Sequence, residues 1–258
     1  MSAFVLVSLF LVSTSAVAAD DPVEPEYFTY RILETYPHDT NAFTQGLFFE
    51  DGVLFESTGQ YGQSSLRRVD KESGEVVQKR RLPQSIFGEG STVVGDDIFV
   101  LSWREGTAFR FDEDDFTLEQ SYGYEGEGWG LTFDGEALIM SDGTATLRFV
   151  DPRSFEVSRR MTVTLRGRPL PQLNELEYVD DQIFANVWQT NAIVRIDPSS
   201  GVVTGIVDMR GLLAEEDFVP GETDVLNGIA WNGEDNILYV TGKNWPKLFK
   251  VELVATGD

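Results

Sequence analysis

Short runs of β-branched and aromatic residues, separated by turn residues, follow one another along this chain. Between Phe87 and Trp103 the sequence FGEGSTVVGDDIFVLSW contains two such runs on either side of Gly95-Asp96-Asp97. Apolar runs around a glycine–aspartate turn are typical of a β-hairpin. In an antiparallel hairpin the first residue of one strand neighbours the last residue of the other. We therefore expect Glu89 and Trp103 to lie at the same rim.

The same hairpin pattern occurs five times. Each copy starts with a polar or aromatic residue, and the starting residues are Gln45, Glu89, Trp129, Asn174 and Asn227. They are separated by intervals of 44, 40, 45 and 53 residues. A repeat of roughly 40–50 residues built from short strands is typical of a β-propeller with about four strands in each blade. The pattern predicts five blades whose starting residues converge on one mouth.

The fifth hairpin is followed by one further strand, whereas the other four are each followed by two. The alternating segment Phe28–Leu33 precedes the first hairpin and has no blade of its own. We predict that it pairs with the strand near Lys247–Leu253, which would remove an open sheet edge. The predicted fold class is all-β: a five-bladed β-propeller with four antiparallel strands per blade, closed by an N-terminal strand that joins the last blade.

The beginning of the chain has the pattern of a targeting segment. Residues 3–19 are apolar and unbroken, and they include the small-residue sequence Ala16-Val17-Ala18. This pattern predicts a signal peptide over residues 1–19, a single β-propeller domain over residues 20–258, and a secreted or periplasmic protein. After cleavage we expect no stable association with a membrane. Because no lysine or arginine precedes the apolar run, an uncleaved membrane anchor remains the alternative.

Charge and composition exclude several classes of function. The formal net charge is −23, which argues against nucleic acid as a partner because little would neutralise the phosphates. The sequence has no cysteine and only one histidine, His38, so a zinc site with two or more such ligands cannot form. We interpret His38 as a structural, hydrogen-bonded histidine. A cation held by carbonyl groups in the central channel remains open.

The residues expected at the mouth could bind a polar substrate and move a proton. An apolar environment around Glu89 would raise the pKa of its carboxyl group, which suits a proton shuttle. Lys243, Asn174 and Gln45 could form hydrogen bonds with a substrate. The aromatic residues expected around Glu89 are Phe87, Trp103, Trp129 and Trp188. Each could instead be a core residue, but their shared place in the repeat favours a site.

Several motifs at the hairpin starts resemble one known family. They are FTQGL from Phe43, FGEG from Phe87, EGWGLT from Glu127, LNELEY from Leu173, ANVW from Ala185, LNGIA from Leu226 and TGKNWP from Thr241. Together they closely resemble the plant and bacterial type of glutaminyl cyclase, the glutaminyl-peptide cyclotransferases, which are five-bladed propellers. The resemblance extends through nearly all of the chain after the predicted signal peptide.

This resemblance implies that the N-terminal glutamine of a peptide or protein cyclises to pyroglutamate with release of ammonia. The substrate's own α-amine is the nucleophile, so no serine, cysteine or histidine nucleophile is needed. Carried over position by position, Glu89 is the general acid/base, and Asn174 and Lys243 are catalytic positions that hold the amide oxygen or the substrate backbone. The positions that match substrate-binding residues are Phe43, Gln45, Phe87, Trp103, Trp129 and Trp188.

Because one histidine and no cysteine leave no conventional zinc site, we predict that catalysis needs no metal. The family resemblance implies a structural calcium in the central channel, whose ligands the motifs do not assign. The expected partners are peptides with an N-terminal glutamine, and the expected state is a monomer. Two other classes remain open: a non-catalytic propeller that binds peptides, and a calcium-dependent propeller hydrolase similar to a lactonase. The hydrolases are usually six-bladed and hold their calcium with several carboxylates, whereas this chain has five hairpins and one carboxylate, Glu89, at the repeat start. The glycines that flank Glu89 disfavour a protein that only binds peptides.

Overall fold

The computed structural model describes residues 23–233 and 235–257. The predicted signal peptide, residues 1–19, lies outside the described residues. Within the described part the regular elements are strands, apart from one short 3-10 helix at Glu215–Asp217. No helix in those two ranges is long and apolar enough to cross a membrane.

Strand β1 (Glu26–Pro37) is followed by three four-stranded sheets, each formed by strands in chain order. The first contains β2 (Thr44–Glu50), β3 (Val53–Thr58), β4 (Ser65–Asp70) and β5 (Glu75–Arg81). The second contains β6 (Gly88–Val94), β7 (Asp97–Ser102), β8 (Thr107–Asp112) and β9 (Leu118–Gly123). The third contains β10 (Leu131–Phe133), β11 (Leu138–Met140), β12 (Thr146–Val150) and β13 (Val157–Thr162).

A small hairpin of β14 (Thr164–Leu165) and β15 (Arg168–Pro169) leads into an eight-stranded sheet. Its first half contains β16 (Leu173–Val179), β17 (Gln182–Val187), β18 (Ala192–Ile196) and β19 (Val203–Asp208). Its second half contains β20 (Leu226–Asn232), β21 (Ile237–Gly242) and β22 (Lys247–Ala255). Strand β1 lies between β19 and β22 and joins the two halves.

The predicted pairing of the N-terminal segment with the last strand is confirmed. Strand β1 runs antiparallel to β22, with Tyr30 opposite Leu253 and Ile32 opposite Val251. A bulge between Ile32 and Glu34 interrupts the ladder, which then continues to Pro37. Because the bulge breaks the alternation of side chains, the sequence pattern indicated only the first half of this strand. The parallel pairing of β1 with β19 was not predicted.

The innermost strands of these units contact one another in a ring, in the order β2, β6, β10, β16, β20 and back to β2. Neighbouring sheets pack face to face through clusters of buried apolar side chains. Phe55 of β3 and Ile98 of β7 belong to one such cluster, and Phe99 of β7 and Leu138 of β11 belong to the next. Four-stranded antiparallel units around a common axis form a propeller-like all-β fold, as the repeat pattern predicted.

Candidate active site

Four of the innermost strands carry a β-bulge near their first residues. The pairing register shifts between Thr44 and Gly46 in β2 and between Gly88 and Ser91 in β6, and it shifts in the same way near the starts of β16 and β20. A bulge takes residues out of the ladder and re-aims their side chains. The residues within these bulges include Gln45, Glu89, Asn174 and Asn227. The bulges explain why the hairpin starts present functional groups rather than strand-forming residues.

Trp129 takes the corresponding place in the third sheet, just before β10. Its backbone N–H donates to the carbonyl oxygen of Ser141 at 3.0 Å. Its indole packs on Gly143, which has a φ of +77°, and a Cβ at that position would lie 2.7 Å from the ring. Any other residue at position 143 would therefore be strained and would displace the indole.

The ends of the innermost strands and their loops enclose a cavity of about 390 Å³. All nine residues predicted to be catalytic or substrate-binding line this cavity: Phe43, Gln45, Phe87, Glu89, Trp103, Trp129, Asn174, Trp188 and Lys243. Four of the five hairpin starts, Gln45, Glu89, Trp129 and Asn174, therefore converge on one mouth as predicted. The fifth, Asn227, is fully buried and does not line the cavity. The sequence interpretation did not assign the other lining residues, which are Gln60, Gln189, Asp224 and Val225.

Glu89 is the buried carboxylate of this cavity and is only 4% exposed. The side-chain nitrogen Nε2 of Gln45 donates to its Oε1 at 3.1 Å. Asn227 in turn fixes Gln45, since Asn227 Nδ2 donates to the backbone oxygen of Thr44 at 2.9 Å and lies 3.4 Å from Gln45 Oε1. Burial raises the pKa of Glu89 well above its ordinary value, although the charge of Lys243 acts in the opposite direction.

Lys243 and Asn174 face the same cavity as Glu89. Lys243 is 5% exposed, and its Nζ lies 4.9 Å from the centre of the Phe43 ring. Burial lowers the pKa of Lys243, and the negative charges of Glu89 and Asp224 only partly oppose this. The carboxamide oxygen of Asn174 is buried without a hydrogen-bond partner among the described residues. A buried polar atom without a partner needs a ligand or water to satisfy it.

Aromatic rings form the remaining walls. The rings of Trp129 and Trp188 meet edge to face, with centroids 5.5 Å apart and an interplanar angle of 82°. On another side Phe87 contacts Trp103 at 5.5 Å and Phe43 at 6.1 Å. These rings shield Glu89 from water, which explains the raised pKa of its carboxyl group.

Glu127 is a residue of the site that the sequence interpretation missed. Its Oε2 accepts hydrogen bonds from the indole nitrogens of both Trp103, at 2.8 Å, and Trp129, at 3.0 Å. Its Oε1 accepts from Arg104 Nε at 2.9 Å. Burial alone would raise the pKa of Glu127, but these hydrogen bonds lower it overall. The only sequence signal was its place in the EGWGLT motif, two residues before Trp129.

His38 is not among the residues that line the cavity, and its structural interpretation is confirmed. Its side chain is buried, with Nδ1 2.7 Å from the backbone oxygen of Trp245 and Nε2 3.0 Å from Glu56 Oε1. Arg67 completes the network, with NH1 2.8 Å from Asp39 Oδ2 and 3.6 Å from Glu56 Oε2. The network anchors the turn that follows Lys243.

Two further carboxylates lie buried on β16, near the axis of the ring. Glu175 accepts backbone N–H groups of Leu47, at 3.3 Å, and Ile229, at 2.9 Å. Glu177 accepts the N–H of Trp231 at 2.8 Å. Burial raises the pKa of Glu175 well above its ordinary value and that of Glu177 to about 8. No group of three histidine or acidic side chains placed to hold a metal occurs in the described ranges.

The fold and the cavity together define a propeller-like protein whose site holds a buried carboxylate, a lysine and an asparagine between aromatic walls. The chain belongs to the glutamine cyclotransferase family, because the sequence model of that family matches residues 4–253. A glutaminyl-peptide cyclotransferase of Arabidopsis thaliana is 41% identical over 228 residues, which cover 86% of this chain and 70% of that protein. The crystal structure of Myxococcus xanthus glutaminyl cyclase matches with a TM-score of 0.85 and 38% identity, covering 91% of this chain and 100% of that one.

Proposed function

We propose that this protein converts the N-terminal glutamine of peptides and proteins to pyroglutamate and releases ammonia. The observation that supports this best is the combination of a buried carboxylate, Glu89, with the unpartnered carboxamide oxygen of Asn174 in one aromatic cavity. A shielded carboxyl with a raised pKa can both accept and return a proton near neutral pH. Membership of the glutamine cyclotransferase family supports the same reaction.

In the proposed reaction the substrate's α-nitrogen attacks the Cδ carbonyl carbon of its own side chain. Glu89 removes a proton from that nitrogen as the new C–N bond forms. It then gives the proton to the amide nitrogen, the old C–N bond breaks, and ammonia leaves. Glu89 ends the cycle ionised, as it began. Such a shuttle contributes about 10²–10⁴-fold to the rate.

Asn174 and Lys243 hold the reacting amide. The oxygen Oδ1 of Asn174 is free to accept an N–H of the substrate, and Nζ of Lys243 can donate to an oxygen that gains negative charge. Gln45 keeps the Glu89 carboxylate oriented through its hydrogen bond. In this proposal Glu89, Asn174 and Lys243 are the catalytic residues, and Gln45 belongs to the substrate-binding set.

The aromatic walls hold glutamine in the bent conformation that brings amine and carbonyl together, and they keep bulk water away from the reaction. Proximity of the two groups and exclusion of water both favour cyclisation over hydrolysis. The binding residues in this proposal are Phe43, Gln45, Phe87, Trp103, Trp129 and Trp188.

The test is an ammonia assay with the purified protein and a dipeptide that begins with glutamine. We expect ammonia and a pyroglutamyl product in equal amounts. The same dipeptide with an acetylated α-amine should release no ammonia, because its nucleophile is blocked. Binding of the dipeptide without turnover would support a peptide-binding module instead. Calcium-dependent hydrolysis of a lactone would support the hydrolase.

We also propose that the fold is a complete five-bladed propeller in which β1 is the fourth strand of the last blade. The ring formed by β2, β6, β10, β16 and β20 and the antiparallel pairing of β1 with β22 support this. A crystal structure with five sheets around one axis would establish the blade count, and a sixth sheet would contradict it.

We further propose that the protein acts outside the cytoplasm as a monomer. The apolar run of residues 3–19 supports export with cleavage near Ala18. N-terminal sequencing of the exported protein tests this, and a membrane-bound product that retains the run would contradict it.

The partners we propose are peptides and proteins with an N-terminal glutamine. Nucleic acid is not expected to bind, and light scattering should give the mass of one chain.

For cofactors we propose that catalysis uses no metal and that a calcium ion in the channel has a structural role. Calcium prefers oxygen ligands. Glu175 and Glu177 fit such an ion, since both are buried and neither forms an ion pair with Lys, Arg or His in the described part of the chain. Their raised pKa values show that backbone hydrogen bonds stabilise the ionised carboxylates only in part, and a bound cation would favour the ionised form.

A further inference from the structure

A second cavity of about 580 Å³ adjoins the candidate active site. The two cavities share Gln189, Asp224 and Val225 as lining residues, so one opens beside the other. We call this second cavity the side groove. It is bounded by the β17–β18 turn and by the long connection between β19 and β20, which contains the 3-10 helix Glu215–Asp217.

The floor of the side groove is apolar. Met209, Leu212, Leu226 and Trp245 line it, and all four are buried. One wall is the ring of Phe218, which is 50% exposed. A large aromatic side chain left half in solvent beside a cavity is available for contact with a ligand.

The charged groups that line the side groove are all negative. Glu215 and Asp224 are its carboxylates, and no Lys, Arg or His occurs among its lining residues as described here. Two cations on nearby segments are already engaged, because Arg210 pairs with Asp208 and Lys247 pairs with Asp217. Lys243, in the adjoining cavity, partly offsets the charge of Asp224, so among the described residues Glu215 is the groove carboxylate without a nearby cation. The groove therefore has an apolar floor and a net negative potential at its rim.

We infer that the side groove binds the residues that follow the N-terminal glutamine of a peptide substrate, and that it selects a lysine or arginine there. The inference rests on the proposed function. A peptide whose first residue occupies the cavity around Glu89 must leave through its mouth, and the groove begins at that mouth. A long basic side chain matches both features of the groove, since its stem can pack on the floor while its charge approaches the carboxylates.

Phe218 adds to this selection. A lysine or arginine head that reaches the carboxylates can also lie over the face of this half-exposed ring, and a cation held over an aromatic face is attracted by it. An acidic side chain at the same place would be repelled by Glu215 and Asp224. The groove thus discriminates between charges rather than merely accommodating any residue.

The experiment compares cyclisation of tetrapeptides of the form Gln-Xaa-Xaa-Xaa. Lysine or glutamate is placed in turn at the second, third and fourth positions of an otherwise alanine sequence, and glutamine amide serves as the substrate without following residues. We expect kcat/KM to be about fivefold higher for lysine than for glutamate at one position at least, with the difference shrinking in high salt.

Variants separate the groove from the general negative charge of the protein. Glu215→Gln removes one groove carboxylate and Phe218→Ser removes the exposed ring, and neither residue lines the cavity around Glu89. Each should reduce the preference for lysine about twofold or more while leaving turnover of glutamine amide unchanged. The matched control is Glu216→Gln, which removes the same charge from the adjacent exposed residue outside the groove.

Each outcome has a distinct meaning. Turnover of glutamine amide with equal kcat/KM for lysine and glutamate peptides would overturn the groove inference and leave the proposed function standing. A lysine preference that falls equally in Glu215→Gln and Glu216→Gln would also overturn it, because general charge would then explain the effect. Failure to release ammonia from glutamine amide would instead overturn the proposed function.

Discussion

Glu89 is held where a carboxylate ion is poorly stabilised. Aromatic rings surround it, and within the described part of the chain its side chain accepts one hydrogen bond, from Gln45, rather than the several that an exposed carboxylate would receive from water. This arrangement weakens the preference for the ionised form, so the carboxyl can pass a proton in either direction near neutral pH. The same burial should reduce the stability of the folded protein.

We predict that Glu89→Gln abolishes most cyclase activity and keeps the fold. The amide has the same shape but cannot exchange a proton, so kcat should fall by about 10²–10⁴-fold with a much smaller change in KM. Because the pKa of Glu89 is raised in the folded state, the free energy of unfolding falls as pH rises through that pKa and the buried carboxyl group loses its proton. The variant should therefore melt at the same or a higher temperature than the wild type at neutral pH.

Steady-state cyclisation of a glutamine dipeptide and thermal melts measure these effects. The control is Glu136→Gln, at an exposed turn residue outside the cavity. Glu56 is unsuitable as a control because it is buried against His38 and Arg67. A Glu89→Gln protein with wild-type kcat would exclude Glu89 as the acid/base.

Glu127 acts on the site through Trp103 and Trp129. One carboxylate oxygen accepts from both indole nitrogens, so we predict that Glu127→Gln loosens two walls at once. The amide retains one acceptor oxygen but carries no charge, and charge-assisted hydrogen bonds are roughly twice as strong as neutral ones. We expect KM for a glutamine dipeptide to rise about tenfold, because a misplaced wall weakens substrate positioning.

Tryptophan fluorescence and near-UV circular dichroism should change in Glu127→Gln, and far-UV circular dichroism should not. The matched control is Glu125→Gln, which lies exposed in the same loop. An unchanged KM together with an altered fluorescence spectrum would show that the indole positions do not matter for binding.

Sequence reasoning identified the residues of the site that share a place in the repeat. Gln45, Glu89 and Asn174 stand at equivalent hairpin starts, and that regularity alone predicts that they share one mouth. Asp224 and Gln189 lie in connections whose length and course the repeat does not determine. The hydrogen bonds of Glu127 depend on the directions of two indoles, which no spacing pattern specifies.

At the scale of elements, the hairpins were predictable because alternating apolar positions and glycine–aspartate turns are local signals. The bulges were not, since a bulge is a relation between two strands. The parallel pairing of β1 with β19 also depends on strands that are distant in sequence. It makes β1 an interior strand of the eight-stranded sheet rather than an edge.

We predict that β1 contributes strongly to stability. Removing residues 1–24 leaves the strand intact, whereas removing residues 1–35 takes away most of its pairing with β22 and all of its pairing with β19. The second truncation exposes two strand edges and should lower the melting temperature much more than the first. Equal melting temperatures for the two truncated proteins would contradict this role.

The network of His38, Glu56 and Arg67 ties the first loop to the turn after Lys243. Burial lowers the pKa of His38, but the charge and hydrogen bond of Glu56, the carbonyl of Trp245 and the charge of Asp39 together raise it overall. For Glu56 burial raises the pKa, but His38 and Arg67 lower it overall. The stabilisation that His38 provides is therefore complete below its ordinary pKa of about 6.5 and is lost as pH rises through its raised pKa. The stabilisation that Glu56 provides is present at higher pH and is lost as pH falls below about 4.5.

We therefore predict that His38→Gln flattens the alkaline side of the stability profile. Denaturant unfolding of the wild type should show a free energy of unfolding that declines as pH rises from about 6.5 through the raised pKa of His38. In the variant, which has no titrating group at this position, this decline should be smaller. Parallel profiles for the two proteins between pH 6 and 9 would show that His38 does not titrate with folding.

For the whole molecule, the repeat and the composition predicted the class of fold. A ring of similar sheets buries one apolar cluster between each neighbouring pair, and each repeat supplies the apolar residues for it. The side chains that lie along the axis of the ring could not be predicted from the sequence. Glu175 and Glu177 both lie on β16 and read as ordinary strand residues, yet closure brings Leu47 of β2 and Ile229 of β20 against Glu175. Their burial depends on all the sheets at once.

These two carboxylates lead to a prediction about metals. Their raised pKa values mean that, without a cation, stability falls as pH rises towards and through about 8, where Glu177 loses its proton. A calcium ion bound only by the folded state adds stability that grows with its concentration, about 2.7 kcal/mol at 100 times its Kd. Chelation should therefore lower the melting temperature, and calcium should restore it.

Cyclase activity of the protein that remains folded should survive chelation, because the proposed proton transfer uses Glu89 alone. Melting curves and ammonia release would be measured before and after dialysis against a chelator, in the wild type and in Glu175→Gln. The variant should lose the response of its melting temperature to calcium while remaining active. A chelated protein that is folded by circular dichroism but inactive until a metal is returned would contradict metal-free catalysis. An unchanged wild-type melting temperature would contradict only the structural calcium.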